Sequence, residues 1–166
     1  MEKKFILGIS LFTLLVLGGG IWFATSLPTK PTLEKTAGAT FWANHTSADL
    51  KTIPYEKGVV SHAFPIQNTG EKSLSITNLA TSCMCTKVYF TNGKDKSPQA
   101  GMKGMSAISP WIGTLQPQEK GEIIALFDPQ FHGPQGVGAI SRLVSFETSD
   151  PEHPYVELSF AGVVVR

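Results

Sequence analysis

Apolar and polar side chains alternate along most of the chain from residue 60 onward. Val60, His62, Phe64 and Ile66 take every second position and run into Asn68-Thr69-Gly70-Glu71. Leu74 and Ile76 alternate with Ser73, Ser75 and Thr77. Ile140–Phe146 alternates with Ser141 and Ser145, and Lys87–Phe90, Trp111–Leu115, the largely apolar run Glu122–Phe127 and Tyr155–Phe160, the last prolonged by Gly162–Val165, read as further strands. A period of two is that of a strand with one face buried, and Gly, Pro, Asn and Asp bound these runs. About seven short strands with no amphipathic helix among them predict an all-β sandwich, in which two facing sheets bury the alternate positions.

The pattern is different before residue 60. Phe5 to about Thr25 is uncharged and follows Lys3-Lys4. About 20 apolar residues suffice to cross a bilayer, whereas the apolar part of a cleaved signal has about 7–15. The length favours an uncleaved signal anchor over 1–26. The small residues Ala24-Thr25-Ser26 and the Gly18-Gly19-Gly20 block are the features that suit a cleaved signal instead. Lys3 and Lys4 place the N-terminus in the cytoplasm and the remaining chain on the extracytoplasmic side of the cell membrane. Residues 27–50, opening with Leu27-Pro28-Thr29-Lys30-Pro31, read as a tether, with Thr40-Phe41-Trp42-Ala43 docking on the domain. The sandwich is expected over 51–166. A net charge of +1, with no basic run, gives no reason to expect nucleic acid as a partner.

Residues 91–110 interrupt the strand pattern, and loops of this length are often functional. Sulfur gathers there and just before. Cys83 and Cys85 are the only cysteines, and Met84, Met102 and Met105 are the only methionines apart from Met1. On an extended strand Cys83 and Cys85 would lie roughly 6.5 Å apart on one face. That is near the long limit for a disulfide, about 6.8 Å, but two thiolates could converge on one ion. Thiolates and thioethers select Cu(I). The leading expectation is therefore a Cu(I) site with Cys83 and Cys85 as primary ligands. Met102 and Met105 would close over the ion, and His132 would approach from the glycine-rich connection 131–138. A strained, reducible disulfide, small buried thiols, and methionines that merely fill gaps stand beside it. His62 shares the register of Val60, Phe64 and Ile66 and reads as a hydrogen-bonded core histidine. Asp128 and Asp150 precede proline and read as turn initiators.

Phe64-x-Ile66-x-Asn68-x-Gly70, Leu74-x-Ile76, Ser82-Cys83-x-Cys85-Thr86, Leu115-x-Pro117-x-Glu119 and Thr148-Ser149-Asp150-Pro151 occur in an order that resembles the bacterial domain of unknown function 1573 family, over about residues 55–166. The resemblance implies an exported, immunoglobulin-like Greek-key sandwich, related to pilus-chaperone and HYDIN-type domains. The family usually has glycine between the cysteines; this chain has Met84.

Gly-x-Ser-x-Gly, His-Glu-x-x-His, phosphate-loop and dinucleotide signatures are missing from the sequence, so a non-enzymatic role is expected and no small-molecule substrate is indicated. The alternative to metal binding is a cell-envelope protein-interaction domain that docks a partner through its edge strands, its cysteine pair structural or redox-active. A thiol–disulfide role in its own right is the third possibility.

Overall fold

The computed structural model describes residues 2–26 and 29–166. Helix α1, Glu2–Ser26, carries the apolar run and is long and apolar enough to cross a membrane. Nine strands follow: β1 (Phe41–Ala43), β2 (Ser47–Pro54), β3 (Val60–Asn68), β4 (Leu74–Thr81), β5 (Thr86–Thr91), β6 (Ile112–Leu115), β7 (Lys120–Phe127), β8 (Gly138–Thr148) and β9 (Tyr155–Val165). They form a four-stranded sheet, ordered β1-β3-β7-β5, and a five-stranded sheet, ordered β2-β9-β8-β4-β6.

The alternation holds. Phe64 and Ile66 of β3, with Ile123 of β7 and Phe90 of β5, face Leu74 and Ile76 of β4, Phe146 of β8 and Leu158 and Phe160 of β9 across a buried core. Burying each of these side chains stabilises the fold by about 1.5–3 kcal/mol.

The two strands beyond the expected seven, β1 and β2, lie in the stretch read as a tether. Phe41 is buried, with its ring 5.6 Å from that of Phe146, and its N–H donates to Asp150 Oδ2 at 2.8 Å. β2 runs parallel to β9, with a register shift between Asp49 and Thr52 where Lys51 takes a positive φ of 56°. Only Ile53 of β2 is buried, so its residues show no apolar alternation. The chain docks earlier still. Pro31 O accepts from Asn78 Nδ2 at 2.8 Å, and Lys30 Nζ reaches Glu147 at 2.6 Å. The sandwich thus recruits most of 27–50.

The Asn68-x-Gly70 turn has a packing reason. Asn68 Nδ2 donates to the Lys72 and Leu115 carbonyls at 2.8 and 3.0 Å, and its Oδ1 accepts from Gly70 N–H at 3.0 Å. A Cβ on Gly70 would lie 2.2 Å from Gly38 O, so no side chain fits there.

Candidate functional site

The cysteines sit in the turn between β4 and β5, not on an extended strand. The Cys83 carbonyl accepts from Thr86 N–H at 3.1 Å, and Thr81 Oγ1 donates to the carbonyls of Cys83 and Thr86 at 2.9 and 3.1 Å. This turn draws the two Cα atoms to 5.2 Å, inside the disulfide range, and the sulfurs are bonded to each other. Of the states the sequence left open, this structure holds the bridged one. Cys83 is partly exposed, while Cys85 is only 2 % exposed and joins the core cluster.

Two basic side chains flank the bridge. His132 lies in the turn after β7, as N-cap of a short 3-10 helix over Gly133–Gly136, and its ring packs edge-on against Phe131. Its Nε2 is 3.5 Å from Cys83 Sγ. Arg142, on β8, donates from Nε to Cys85 Sγ at 3.1 Å and from Nη1 to Ser141 O at 2.8 Å. The guanidinium also stands 5.8 Å from the centre of the Phe127 ring. Partial burial draws the Arg142 pKa below its ordinary value, yet an arginine stays cationic in a protein. Ser82 fixes the turn to β8: its N–H donates to Leu143 O at 3.0 Å, and its Oγ accepts from Leu143 N–H at 2.9 Å.

Cys83, Cys85 and His132 therefore converge, their donor atoms within 4.8 Å of one another. Met102 pairs with Thr81 in an isolated parallel bridge and lines a cavity on the outer face of the five-stranded sheet with Leu79, Ala80 and Trp111. Met105 projects from the same loop with 68 % of its surface exposed.

Arg142 is the site residue the sequence reading passed over, although a signal was present. Ile140, Val144 and Phe146 face the core, and Arg142 falls in that inward register. A charge at a core position calls for a partner, and the partner is the Cys85 sulfur together with the Phe127 face. Away from the bridge, His62 finds its hydrogen-bond partner in His45, with Nε2 atoms 3.1 Å apart. Burial, and then the neighbouring His45 charge, lower the His62 pKa. Asp150 does more than start a turn. It is 2 % exposed, and accepts from the N–H groups of Phe41 and Glu152 and from His153 Nδ1, all at 2.8 Å.

Among solved structures, a protein of unknown function from Porphyromonas gingivalis W83 is similar at 15 % identity and a TM-score of 0.56, covering 82 % of this chain and 52 % of its own. This chain thus corresponds to about half of that one, and the likeness is one of fold. A human CEP192 PapD-like domain matches at 16 % identity and a TM-score of 0.46, covering 85 % of this chain and 95 % of its own. The periplasmic chaperone SfaE matches at 10 % identity and a TM-score of 0.39, covering 75 % and 56 %. No curated protein matches the sequence. A family model described as "Protein of unknown function (DUF1573)" matches residues 41–102, starting earlier and ending earlier than the motifs suggested. The likeness to the domain of unknown function 1573 family is therefore shown over residues 41–102, the stretch that holds the cysteine pair.

Proposed function

We propose that the chain is a membrane-anchored, extracytoplasmic immunoglobulin-like domain whose Cys83–Cys85 disulfide exchanges with thiols of a cell-envelope protein partner. One observation carries the reading: each sulfur of an end-of-sandwich disulfide has its own basic partner, His132 for Cys83 and Arg142 for Cys85.

The two sulfurs differ in access, and that sets the order of events. A partner thiolate attacks Cys83 Sγ, the partly exposed atom, and the bond to Cys85 breaks. The electron pair leaves on Cys85 Sγ, where the Arg142 N–H and positive charge stabilise the thiolate; a more stable thiolate leaves faster. A second partner thiolate attacks the partner sulfur of the mixed disulfide. Cys83 leaves as thiolate beside His132, which supplies its proton when charged. Two partner thiols are oxidised to one disulfide and release two protons; the domain gains two electrons and one proton at Cys83, Cys85 stays a thiolate beside Arg142, and the second proton passes to solvent. The role is non-enzymatic: each domain takes or gives one electron pair.

A structural role accounts poorly for this bridge. The loop spans only Cys83, Met84 and Cys85, and in the chain-entropy model closing three residues constrains the unfolded chain by only about 1.6 kcal/mol, against about 3 for fifteen.

A second reading, Cu(I) binding by the reduced pair, has the three-donor convergence in its favour. The Arg142 cation at 3.1 Å from one of those sulfurs repels a metal ion and favours a bare thiolate. Arg142→Met and His132→Ala separate the two readings. Under thiol exchange, Arg142→Met slows reduction by a small thiol roughly five- to thirtyfold, from the loss of about 1–2 kcal/mol of charge-assisted hydrogen bonding to the leaving sulfur. Under metal binding, Arg142→Met strengthens Cu(I) uptake by the reduced domain and His132→Ala weakens it. An unchanged reduction rate in Arg142→Met overturns the exchange reading.

A further inference from the structure

The loop Gly101–Ser109 lies outside the disulfide chemistry, yet it presents Met105 and Ile108 to solvent at 68 % and 51 % exposure. Its turn is fixed by the Met105 and Ser106 N–H groups, which both donate to Met102 O, and by Gly104 at a φ of +80°. Met105 is thus held outward on a hydrogen-bonded turn, with Ile108 exposed three residues further on.

The position of the loop relative to α1 gives it an occupant. Ser26 ends the helix, and Lys30 is already docked through its ion pair with Glu147. Four peptide steps separate them, which span at most about 14 Å. The 21 residues Phe5–Thr25 rise about 31 Å as a helix, matching a hydrocarbon core of about 30 Å. With α1 across the bilayer, Ser26 is at the lipid–water boundary and the Lys30 attachment point stands within about 14 Å of it. Lys30, Lys103, Gly104 and Ile108 line one cavity of about 220 Å³, so the loop shares the attachment face. Lys103 lies beside the exposed apolar pair, and basic residues are attracted to anionic headgroups.

We infer that Gly101–Ser109 is a membrane-surface contact, with Met105 and Ile108 entering the outer leaflet and Lys103 meeting lipid phosphates. The outer face of the five-stranded sheet then lies toward the bilayer and the opposite sheet toward the aqueous side. This rests on the anchoring role of α1 proposed above.

The test uses the full chain in lipid nanodiscs containing phosphatidylglycerol, with a nitroxide at Met105→Cys, at Ile108→Cys or at Lys120→Cys. Lys120 is on the opposite sheet, and each variant is made on the Cys83→Ser, Cys85→Ser background so that no other thiol takes the label. Circular dichroism checks that each variant keeps the fold. At 105 and 108, collision with oxygen is expected to exceed collision with an aqueous nickel chelate several-fold, and the ratio reverses at 120. Nickel accessibility at 105 and 108 equal to that at 120, in chains retained by the nanodiscs, overturns the contact while leaving the anchor intact. Chains that carry α1 yet do not co-purify with nanodiscs overturn the anchor and the contact together.

Discussion

Asp150 shows how much one side chain can organise. Burial works against its ionisation, but the hydrogen bonds from Phe41 N–H, His153 and Glu152 N–H outweigh it and hold its pKa below the usual carboxylate range. A carboxyl whose pKa is lowered by folding contributes stability that is complete above the unfolded value of about 3.9 and is lost as pH falls through the folded one. Asp150→Asn is therefore expected to lower stability at pH 7 by about 1–3 kcal/mol and to flatten the acid limb, measured by urea unfolding across pH 2–7. An acid limb as steep as wild type contradicts that assignment. The sequence showed Asp150 as a turn initiator before a proline, within the Thr148-Ser149-Asp150-Pro151 element. Its partner Phe41 is 109 positions away, and local pattern carries no information about such a bond. Arg142 is the opposite case: its inward register was readable, but its meaning required the Cys85 sulfur that the fold brings to it.

At the scale of elements, strands with an apolar pattern, alternating or continuous, were legible and strands without one were not. β5, β6 and β9 alternate in burial along their whole length and β3 over Phe64–Asn68, while β7 and β8 each bury three consecutive residues within an apolar run bounded by turns, and these patterns name them. β1 is three residues long, and β2 is a polar parallel strand with a register shift, held by backbone pairing to β9. The Asn68-x-Gly70 turn was visible as a turn, but its tight packing became visible only with Gly38 O beside it. Gly70→Ala is expected to destabilise, because the added methyl must displace backbone, and this cost outweighs the roughly 0.4–1 kcal/mol by which Gly-to-Ala stabilises at an unhindered position. Thermal unfolding checks this: an unchanged midpoint would show that the turn yields freely. The sulfur cluster was legible in the sequence, and the approach of His132 to its cysteines became visible only in the fold. Cys83, Cys85 and His132 meet because the β4–β5 and β7–β8 connections lie at one end of the sandwich, whereas Met102 pairs along β4.

At the scale of the molecule, the chain joins an apolar helix to a two-sheet domain through a short link that is docked by residue 30. The helix and the domain class were both plain in the sequence, since length of apolar run and period two are properties of composition and order alone. The division of labour between the domain's surfaces was not. One end carries a bridge between two basic groups, while the outer face of the five-stranded sheet carries the attachment and the apolar loop. On the function proposed above, this leaves the disulfide open to a partner while α1 holds the domain at the membrane. Cys83→Ser with Cys85→Ser is expected to leave the fold intact and to lower stability by no more than about 2 kcal/mol, since so small a loop constrains the unfolded chain little. A loss of cooperative unfolding in that variant would show a structural staple instead.

The most direct test is to equilibrate the folded protein in dithiol–disulfide buffers, trap free thiols by alkylation, and count them by mass. Cys83 and Cys85 are expected to pass together, and reversibly, between no and two trapped thiols while circular dichroism stays native. A pair that opens only when the domain unfolds, or that is never bridged under any buffer, contradicts a redox-active disulfide.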